Sequence, residues 1–490
     1  MAPSINVKSV TNNVGWSVLS KISTFGLKFV TVPILARILT PEEFGVVAVA
    51  LTVVQFLSMI SSAGLAAALV VQPDEDAETH HSVFWANLGI SISMAAILYV
   101  WSGFFATLLG SPEAAYLLEV MALLIPIQLA GDVSYALLSR RMAFQKDAFW
   151  SVLSESLGAL VAVGLALMGW GIWALVIQQF VTAIVRLIGA SWSVRYWPRL
   201  AFNLRKLGHL AKFSVGVMGS ELANFVTFQS PLVIISRNLG LADAGAYSAA
   251  NRFSSIPNQV ILSALMGVLF PVFSHMTEDR ERRANALALS TQVTTVVIAP
   301  MMFGLWAIAE PAMRVIFGAN WAYAWPILGL LALSKGIMTP CSTFIPYLKG
   351  LGQARVLWWT AFLRAILVYG CVWYGAATGN LYSAMVWLCI ANAITLVGYT
   401  WIVFRVNGTP FLKGFYGVSR PMIMAALMAW LVRLLVERLA AGGYNAIWQI
   451  IIGGAAGAVF YGLIIVLTER PLVRKLVQLV RERKSAALPA

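Results

Sequence analysis

The chain has 490 residues, of which 60% are hydrophobic and only 11% are charged, and its mean hydropathy is +0.80. A soluble core cannot use so much apolar surface, so the composition excludes a soluble globular protein and predicts a polytopic membrane protein. The net charge of +14 does not indicate nucleic-acid binding here, because the topology described below accounts for most of the lysines and arginines.

The first half contains six apolar runs that are long enough to cross a bilayer. They cover 14–38, 44–70, 83–109, 115–138, 149–168 and 171–191. No short apolar core with a cleavage site precedes them, so the first run is interpreted as a retained helix and not a signal peptide. We predict an N-terminal six-helix bundle over 1–194, followed by a basic cytoplasmic linker over 195–212.

The second half contains six more runs and two additional ones. They cover 213–235, 244–270, 286–308, 325–348, 356–376 and 382–404, then 421–436 and 447–467. We predict a C-terminal six-helix bundle over 213–405, two additional transmembrane helices within 421–467 and a basic cytoplasmic tail over 468–490. The predicted fold is an all-α polytopic membrane protein with 14 transmembrane helices.

An internal repeat links the two halves. Four residues recur two hundred positions later, each time where the first run of a half gives way to the second: Arg37, Leu39, Gly45 and Ala50 return as Arg237, Leu239, Gly245 and Ala250. Since each half has an even number of spans, both have the same orientation, and a pseudo-twofold axis along the membrane normal relates two parallel bundles. A ligand is expected between them.

The positions of the basic residues predict the orientation of the chain. Most of the 34 lysines and arginines fall on the side of the two termini, and six lie within spans. The opposite side has Arg37, Arg237, Arg314, Arg433 and Arg438. Because cytoplasmic loops retain positive charge, both termini are predicted to be cytoplasmic.

Several short motifs in the second half carry a family resemblance. They are GAYSAANRF at 245–253, LFPVFS at 269–274, AEP at 309–311 and FGANW at 317–321. With these motifs the chain resembles the Wzx-like polysaccharide flippases of the multidrug/oligosaccharidyl-lipid/polysaccharide exporter superfamily. The likeness runs from about residue 13 to about residue 404, and a layout of six, six and two spans also fits that superfamily.

The resemblance implies an activity and a location. It implies that polyprenyl-diphosphate-linked oligosaccharide moves by alternating access from the cytoplasmic to the periplasmic leaflet of a bacterial inner membrane, for surface or exopolysaccharide synthesis. Membrane lipids, a polysaccharide polymerase and export machinery are the expected partners. Two alternatives stay open: a multidrug exporter of the same superfamily, and an integral-membrane polymerase or ligase, which the short outer connectors disfavour.

Charged residues inside the spans are the candidate site, because such residues normally face a bundle interior or a water-filled cavity. The candidates for binding the diphosphate are Lys21, Lys28, Arg252, Lys335 and Arg364; those for gating or ion coupling are Asp132, Glu155, Arg186 and Glu221. Lys21 and Lys28 are seven residues apart and therefore share one helix face. Glu221 stands two hundred residues after Lys21, so a bridge between them is expected to open or close the cytoplasmic side.

The resemblance adds roles for some of these positions. Related lipid-carrier flippases bind the diphosphate with basic residues on their first, second and eighth helices, and Lys21, Lys28 and Arg252 match the first and the eighth. The second segment departs from this pattern, since it has no basic residue between 44 and 70. The last two spans correspond to a groove for the lipid tail, in which Gly453 and Gly457 permit close packing.

No catalytic or metal site is predicted. The chain has no phosphate-binding loop that ends in Gly-Lys-Ser/Thr, so ATP hydrolysis is not expected, no cofactor is predicted, and coupling to protons, to sodium or to the membrane potential stays open. The acidic segment 74–78 with His80 and His81 is interpreted as a solvated cytoplasmic loop. Cys341, Cys371 and Cys389 are interpreted as small hydrophobic residues.

Overall fold

The computed structural model describes residues 7–62, 65, 69, 77–274, 280–408 and 411–468. Within these ranges the chain is helical and contains no strand, which confirms the all-α prediction. The helices of the first half are α1 (Val7–Ile38), α2 (Pro41–Ser62), α3 (Ala77–Val100), α4 (Ser102–Leu108), α5 (Ala115–Met121), α6 (Leu124–Ala130), α7 (Asp132–Arg140), α8 (Phe144–Leu167) and α9 (Ile172–Val194).

The second half repeats this succession of long and broken helices. Its helices are α10 (Leu204–Leu239), α11 (Leu241–Ser274), α12 (Arg280–Ala307), α13 (Ala309–Ile316), α14 (Trp325–Met338), α15 (Cys341–Gly350), α16 (Ala354–Ala377), α17 (Leu381–Asn407), α18 (Phe411–Ala441) and α19 (Ala446–Thr468). Eleven stretches among the described residues are long and apolar enough to cross a membrane. The protein is therefore a multi-pass membrane protein, as predicted.

Several helix boundaries differ from the sequence prediction. The span predicted over 115–138 is divided into α5, α6 and α7. The break between α5 and α6 precedes Pro126, which has no amide to bond the carbonyl of Ala122; the amide of Ile125 takes that carbonyl in a tighter turn instead. The span predicted over 325–348 breaks before Pro340 for a similar reason. The span predicted over 421–436 is the middle of the longer helix α18.

The predicted linker is partly helical and is fixed to the first half. Residues 204–212 belong to α10, and the part before them packs on the start of α3, where the amide of Asn203 donates to Ser82 Oγ over 2.9 Å. His81, predicted in a solvated loop, is a buried residue of α3, and its Nδ1 lies 3.1 Å from the hydroxyl of Tyr196. Burial raises the pKa of Tyr196, so its phenol stays protonated and can donate to this nitrogen.

The helices form two lobes with repeated packing. We call α1–α9 the N-lobe and α10–α17 the C-lobe. In the N-lobe α1 packs on α8 and α8 on α9, and in the C-lobe the corresponding helices α10, α16 and α17 pack in the same order. Helix α18 packs on α12, and α19 lies against α18 and α13. Between the lobes, α11 crosses both α2 and α1, so the site is bounded by these three helices.

Candidate functional site

The repeated sequence forms the contact between the two lobes. A Cβ atom at Gly45 would lie 2.0 Å from the carbonyl oxygen of Leu241, and one at Gly245 would lie 1.8 Å from the carbonyl oxygen of Pro41. Gly245 and Leu241 stand two hundred positions after Gly45 and Pro41. Each glycine therefore meets the residue that corresponds to the other glycine's partner, so the contact is reciprocal. Only glycine permits this approach, since the backbones of α2 and α11 touch at the end of the molecule where α1 passes into α2 and α10 into α11. We call it the junction end.

Local sequence places the starts of α2 and α11 at this contact in two different ways. Helix α2 begins with a capping box, in which the Thr40 amide donates to Glu43 Oε2 over 2.8 Å and the Glu43 amide donates to Thr40 Oγ1 over 3.3 Å. Pro41 occupies the first helical position, where its missing amide costs nothing. Helix α11 begins after Gly240 instead, whose φ of +99° turns the chain directly out of α10.

Two further clasps cross between the lobes at the junction end. The Arg37 guanidinium of the N-lobe donates to the carbonyls of Val315 and Ile316, with an Nε to O distance of 3.2 Å for Ile316. The Ser236 hydroxyl of the C-lobe donates to the carbonyl of Leu109 over 2.8 Å. In each lobe the end of the first helix therefore packs against the end of a short helix of the other lobe.

A buried tryptophan adds to the first clasp. Trp321 is fully buried, and its indole N–H donates to the carbonyl of Ala36 over 2.6 Å. Its ring meets that of Phe44 edge to face, with 5.4 Å between centroids. We call the group that closes this end the junction seal; it comprises Ala36, Arg37, Pro41, Phe44, Gly45, Leu109, Ser236, Leu241, Gly245, Val315, Ile316 and Trp321.

Deeper in the bundle, aromatic and amide side chains join the lobes. Phe29 of α1 stacks on Phe253 of α11 at 4.8 Å between centroids. The amide of Gln229 donates to Gln55 over 2.8 Å, which links α10 to α2. The lobes are thus closed from the junction end down to the level of these residues.

Charged residues lie next to this aromatic contact. Lys28, adjacent to Phe29, forms a salt bridge with Glu155 of α8 at 3.5 Å, and 46% of the lysine side chain is exposed compared with 15% of the glutamate. Glu155 also interacts electrostatically with Arg252, which is adjacent to Phe253 and is exposed. Lys21 lies two turns of α1 away from Lys28, toward the N-terminus, and is exposed. We call the region marked by these four residues the cationic cleft.

Three of the five predicted binding residues therefore belong to one region, in which Lys28 pairs with Glu155, and Glu155 acts electrostatically on Arg252 across the boundary between the lobes. The arrangement contains three cations and one carboxylate, so it offers a site for a multiply charged anion. Glu221 is also exposed, but neither it nor Lys21 forms a salt bridge with a described residue. The expected bridge between them is not formed in this conformation.

Lys335 and Arg364 lie apart from the cationic cleft, in a cavity of about 640 Å³ inside the C-lobe. The Lys335 ammonium donates to the Asn251 carbonyl and to the hydroxyls of Ser254 and Ser255, at 2.6 to 2.7 Å. The Arg364 guanidinium lies over the ring of Phe228 at 5.3 Å. We call this space the C-lobe cavity. The hydropathy pattern of the sequence could not show that Lys335 and Arg364 lie apart from the cationic cleft, because the pattern does not say which face of a helix meets which neighbour.

The remaining charged candidates lie inside the N-lobe. Asp132 of α7 interacts electrostatically with Arg186 of α9, whose guanidinium lies 4.6 Å from the centre of the Tyr135 ring. This cluster is a partner for neither Lys28 nor Arg252. Among the described residues no group of three His, Cys, Asp or Glu side chains could hold a metal ion.

An apolar groove of about 470 Å³ leads from the lobes to the last two helices. Phe29 and Phe253 line one end of it, and Gly453 and Gly457 of α19 line the other. A Cβ at Gly453 would lie 3.0 Å from Val436, and one at Gly457 would lie 3.3 Å from Met428, so the two glycines bring α19 close to α18, as predicted. Two of its lining residues, Phe29 and Phe253, are the sequence neighbours of Lys28 and Arg252.

Comparison with known proteins assigns the sequence to a group. Residues 34–326 match the family described as "Polysaccharide biosynthesis protein". The chain is 66% identical over 490 residues to the succinoglycan biosynthesis transport protein ExoT of Rhizobium meliloti (strain 1021), covering all of this chain and 99% of the relative. It is 22% identical over 423 residues to the lipopolysaccharide biosynthesis protein WzxC of Escherichia coli (strain K12), covering 84% of each chain.

Solved structures share the fold. The lipid II flippase MurJ in an inward closed conformation superposes with a TM-score of 0.77 at 15% identity, covering 93% of this chain and 99% of that one. An inward-facing multidrug resistance MATE transporter superposes with a TM-score of 0.57 at 15% identity, covering 86% and 97%. At these identities the likeness concerns the arrangement of the helices.

Proposed function

We propose that this chain, which belongs to the polysaccharide biosynthesis protein family, is a flippase that carries lipid-linked oligosaccharide repeat units across the bacterial inner membrane for exopolysaccharide synthesis. The observation that carries the proposal is the cationic cleft between the two lobes, whose residues Lys28 and Arg252 adjoin in sequence two residues that line an apolar groove. The 66% identical relative is named a succinoglycan biosynthesis transport protein. The protein is accordingly a transporter and not an enzyme.

The chain crosses the membrane fourteen times in this proposal. The eleven apolar stretches are joined by α10, α11 and α18, which have 36, 34 and 31 residues and are each long enough to span a bilayer. Both termini are cytoplasmic, because most basic residues then fall on the inner side. The junction end faces the periplasm, and the lobes are sealed on that side.

The diphosphate of the cargo binds in the cationic cleft. Lys28 and Arg252 contact it through charge-assisted hydrogen bonds, and Lys21 draws it in from the cytoplasmic side. Glu155 competes with it, since its carboxylate already pairs with Lys28 and acts on Arg252. This carboxylate keeps the two cations compensated at other stages of the cycle.

The polyprenyl tail occupies the apolar groove while the sugar stays in the cleft. The groove starts at Phe29 and Phe253, whose neighbours Lys28 and Arg252 hold the diphosphate, so head and tail meet at one place. Methionines and glycines line it and allow a flexible chain to slide.

Transport follows from opening one end and closing the other. The junction seal separates, the cytoplasmic halves of α1 and α10 approach, and Lys21 meets Glu221 there. An inside-negative potential helps the outward step, at about 2.3 kcal/mol per charge per 100 mV. Asp132 and Arg186, inside the N-lobe, are candidates for coupling to an ion.

A double variant tests the proposal. Lys28→Ala with Arg252→Ala, inserted at the normal level in a strain that lacks the native gene, should leave lipid-linked oligosaccharide on the cytoplasmic leaflet and abolish surface polysaccharide. Arg438→Ala, which removes an exposed cation at the end of α18, is the matched control and should support normal export. Normal polysaccharide from the double variant would disprove the role of the cleft.

A further inference from the structure

The C-lobe cavity is built by one lobe only. Its lining comes from α10, α11, α14, α15, α16 and α17, and includes Phe228, Asn251, Asn258, Lys335, Arg364 and Asn392. Among the described residues, none of the N-lobe, α18 or α19 lines it. Its lining thus shares no residue with the apolar groove and includes none of the four residues that mark the cationic cleft.

Lys335 places its ammonium group at this cavity. Its three N–H groups are all used by the Asn251 carbonyl and by the hydroxyls of Ser254 and Ser255. These three acceptors are neutral, so they satisfy the donors of the ammonium without cancelling its charge. A desolvated charge of this kind calls for an opposite charge nearby.

Arg364 supplies a second charge and a donor that has no acceptor. Its Nε is buried and has no hydrogen-bond partner. One face of its guanidinium lies on Phe228, which leaves the edge of the group for other contacts. A buried guanidinium N–H without an acceptor is uncommon, and it marks the place where one is needed.

Among the described residues no carboxylate lies beside these two cations. Between residues 311 and 407 the sequence contains no aspartate or glutamate, so α14, α15, α16 and α17 have none, and no acid lines the cavity. On the other two helices, Glu221 is exposed two turns before Phe228, and Asp243 lies at the junction end, where its charge acts on Tyr323. The described part of the chain therefore supplies no counter-charge, which leaves room for one from a ligand.

The asparagines of the cavity can adapt to such a ligand. Asn392 donates to Ser334 Oγ over 2.6 Å, and its Oδ1 is buried without a partner. Turning this amide by 180° lets the Ser334 hydroxyl donate to Oδ1 and points the two N–H donors to the unpartnered side. Asn258 likewise has a buried Oδ1 without a partner.

We propose that the C-lobe cavity binds a small monovalent anion, which the Arg364 guanidinium holds by hydrogen bonds and whose charge Lys335 balances. Chloride and a carboxylate group share this chemistry. Chloride would be a structural ion of the lobe, and a carboxylate would come from an acidic sugar. A diphosphate fits less well, since Lys335 has no donor left to offer it. The site does not depend on what the cationic cleft carries.

Calorimetric titration of the purified full-length protein tests this site. Sodium bromide and sodium glucuronate are titrated separately into a low-salt buffer that contains no halide or carboxylate. We expect one saturable site per chain for at least one of the two anions, and the anion that binds identifies the source. If neither binds saturably, the proposal is wrong.

Two variants locate the site. Arg364→Gln should weaken binding about tenfold or more, because it removes a charge-assisted contact, whereas Arg438→Gln, which removes an exposed cation at the end of α18, should leave the anion affinity unchanged. Unchanged affinity in a folded Arg364→Gln variant would overturn the proposal. If Arg364→Gln does not fold, anomalous scattering from bromide bound to the unmodified protein locates the site instead. We expect a peak beside the Arg364 guanidinium. Bromide peaks only at other places would contradict the proposal.

Discussion

The N-lobe and the C-lobe agree at the junction end and differ in their interiors. At the junction end Gly45 and Gly245 make the same contact in reverse. Inside the N-lobe the cations have acids beside them, Lys28 with Glu155 and Arg186 with Asp132, whereas Lys335 and Arg364 in the C-lobe cavity have none among the residues that the structure describes. Symmetry is retained where backbones touch and is lost where charged side chains face a cavity.

The physical reason lies in what each region tolerates. Two backbones that approach more closely than a Cβ atom permits require glycine on both sides, so both copies of the repeat keep glycine at this position. A cavity accepts any side chain that can be solvated or compensated, so the two copies can diverge and acquire different ligands. Substitutions in the seal and in the cationic cleft can separate the symmetric part of the molecule from the asymmetric part.

The largest effect is expected at Trp321, because the seal is not symmetric there. Trp321 follows Gly318 by three residues and is fully buried, whereas Glu113 follows the corresponding Gly110 by three residues and is exposed. Trp321→Ala should lower the free energy of unfolding by about 3–5 kcal/mol, measured by denaturation in detergent. Glu113→Ala is the matched control and should change it by less than about 0.5 kcal/mol. Equal effects would mean that the two clasps are equivalent.

The next largest effect is expected at the two glycines. Gly45→Ala and Gly245→Ala each force a Cβ to within 2.0 Å or less of a carbonyl oxygen, so α2 and α11 must separate. Each should destabilise the sealed form by about 1–3 kcal/mol, and the two values should be similar because the contact is reciprocal. Gly89→Ala on α3 is the control, since nothing lies within 4 Å of its Cβ position. Clearly unequal losses of stability would contradict the inference that the two sides of the seal are equivalent.

Much of this arrangement could be predicted from the sequence. Hydropathy identified the membrane-spanning class, and the recurrence of Gly45 at Gly245 identified the duplication, because both depend on local composition. The contact between the glycines could not be predicted, since it depends on how two helices two hundred residues apart cross. The buried position of His81 and the separation of Lys335 from Lys28 depend on which helix face meets which neighbour. Charge alone carries no such information.

Removal of the Glu155 carboxylate should strengthen binding to the cationic cleft. Glu155→Gln takes away a competitor for Lys28 and Arg252, so the affinity for farnesyl diphosphate, used as a probe, should rise about three- to tenfold. The effect is limited because Lys28 is half exposed. Glu437→Gln on α18, where the acid pairs with Arg433 far along the chain, should leave the affinity unchanged. Weaker binding to Glu155→Gln would show that the acid positions the cations and does not compete.

The smallest effect is expected at the second clasp. Ser236→Ala removes one buried hydroxyl that donates to the Leu109 carbonyl, a bond worth about 1 kcal/mol. That loss corresponds to about fivefold faster local opening, so hydrogen exchange at the amides of Ser111 and Gly240 should quicken by this factor. Ser93→Ala, whose hydroxyl bonds only within its own helix, should leave both amides unchanged. If exchange quickens at Ser111 alone, the two sides of the seal open independently; if it quickens at both, the seal opens as one unit, as alternating access requires.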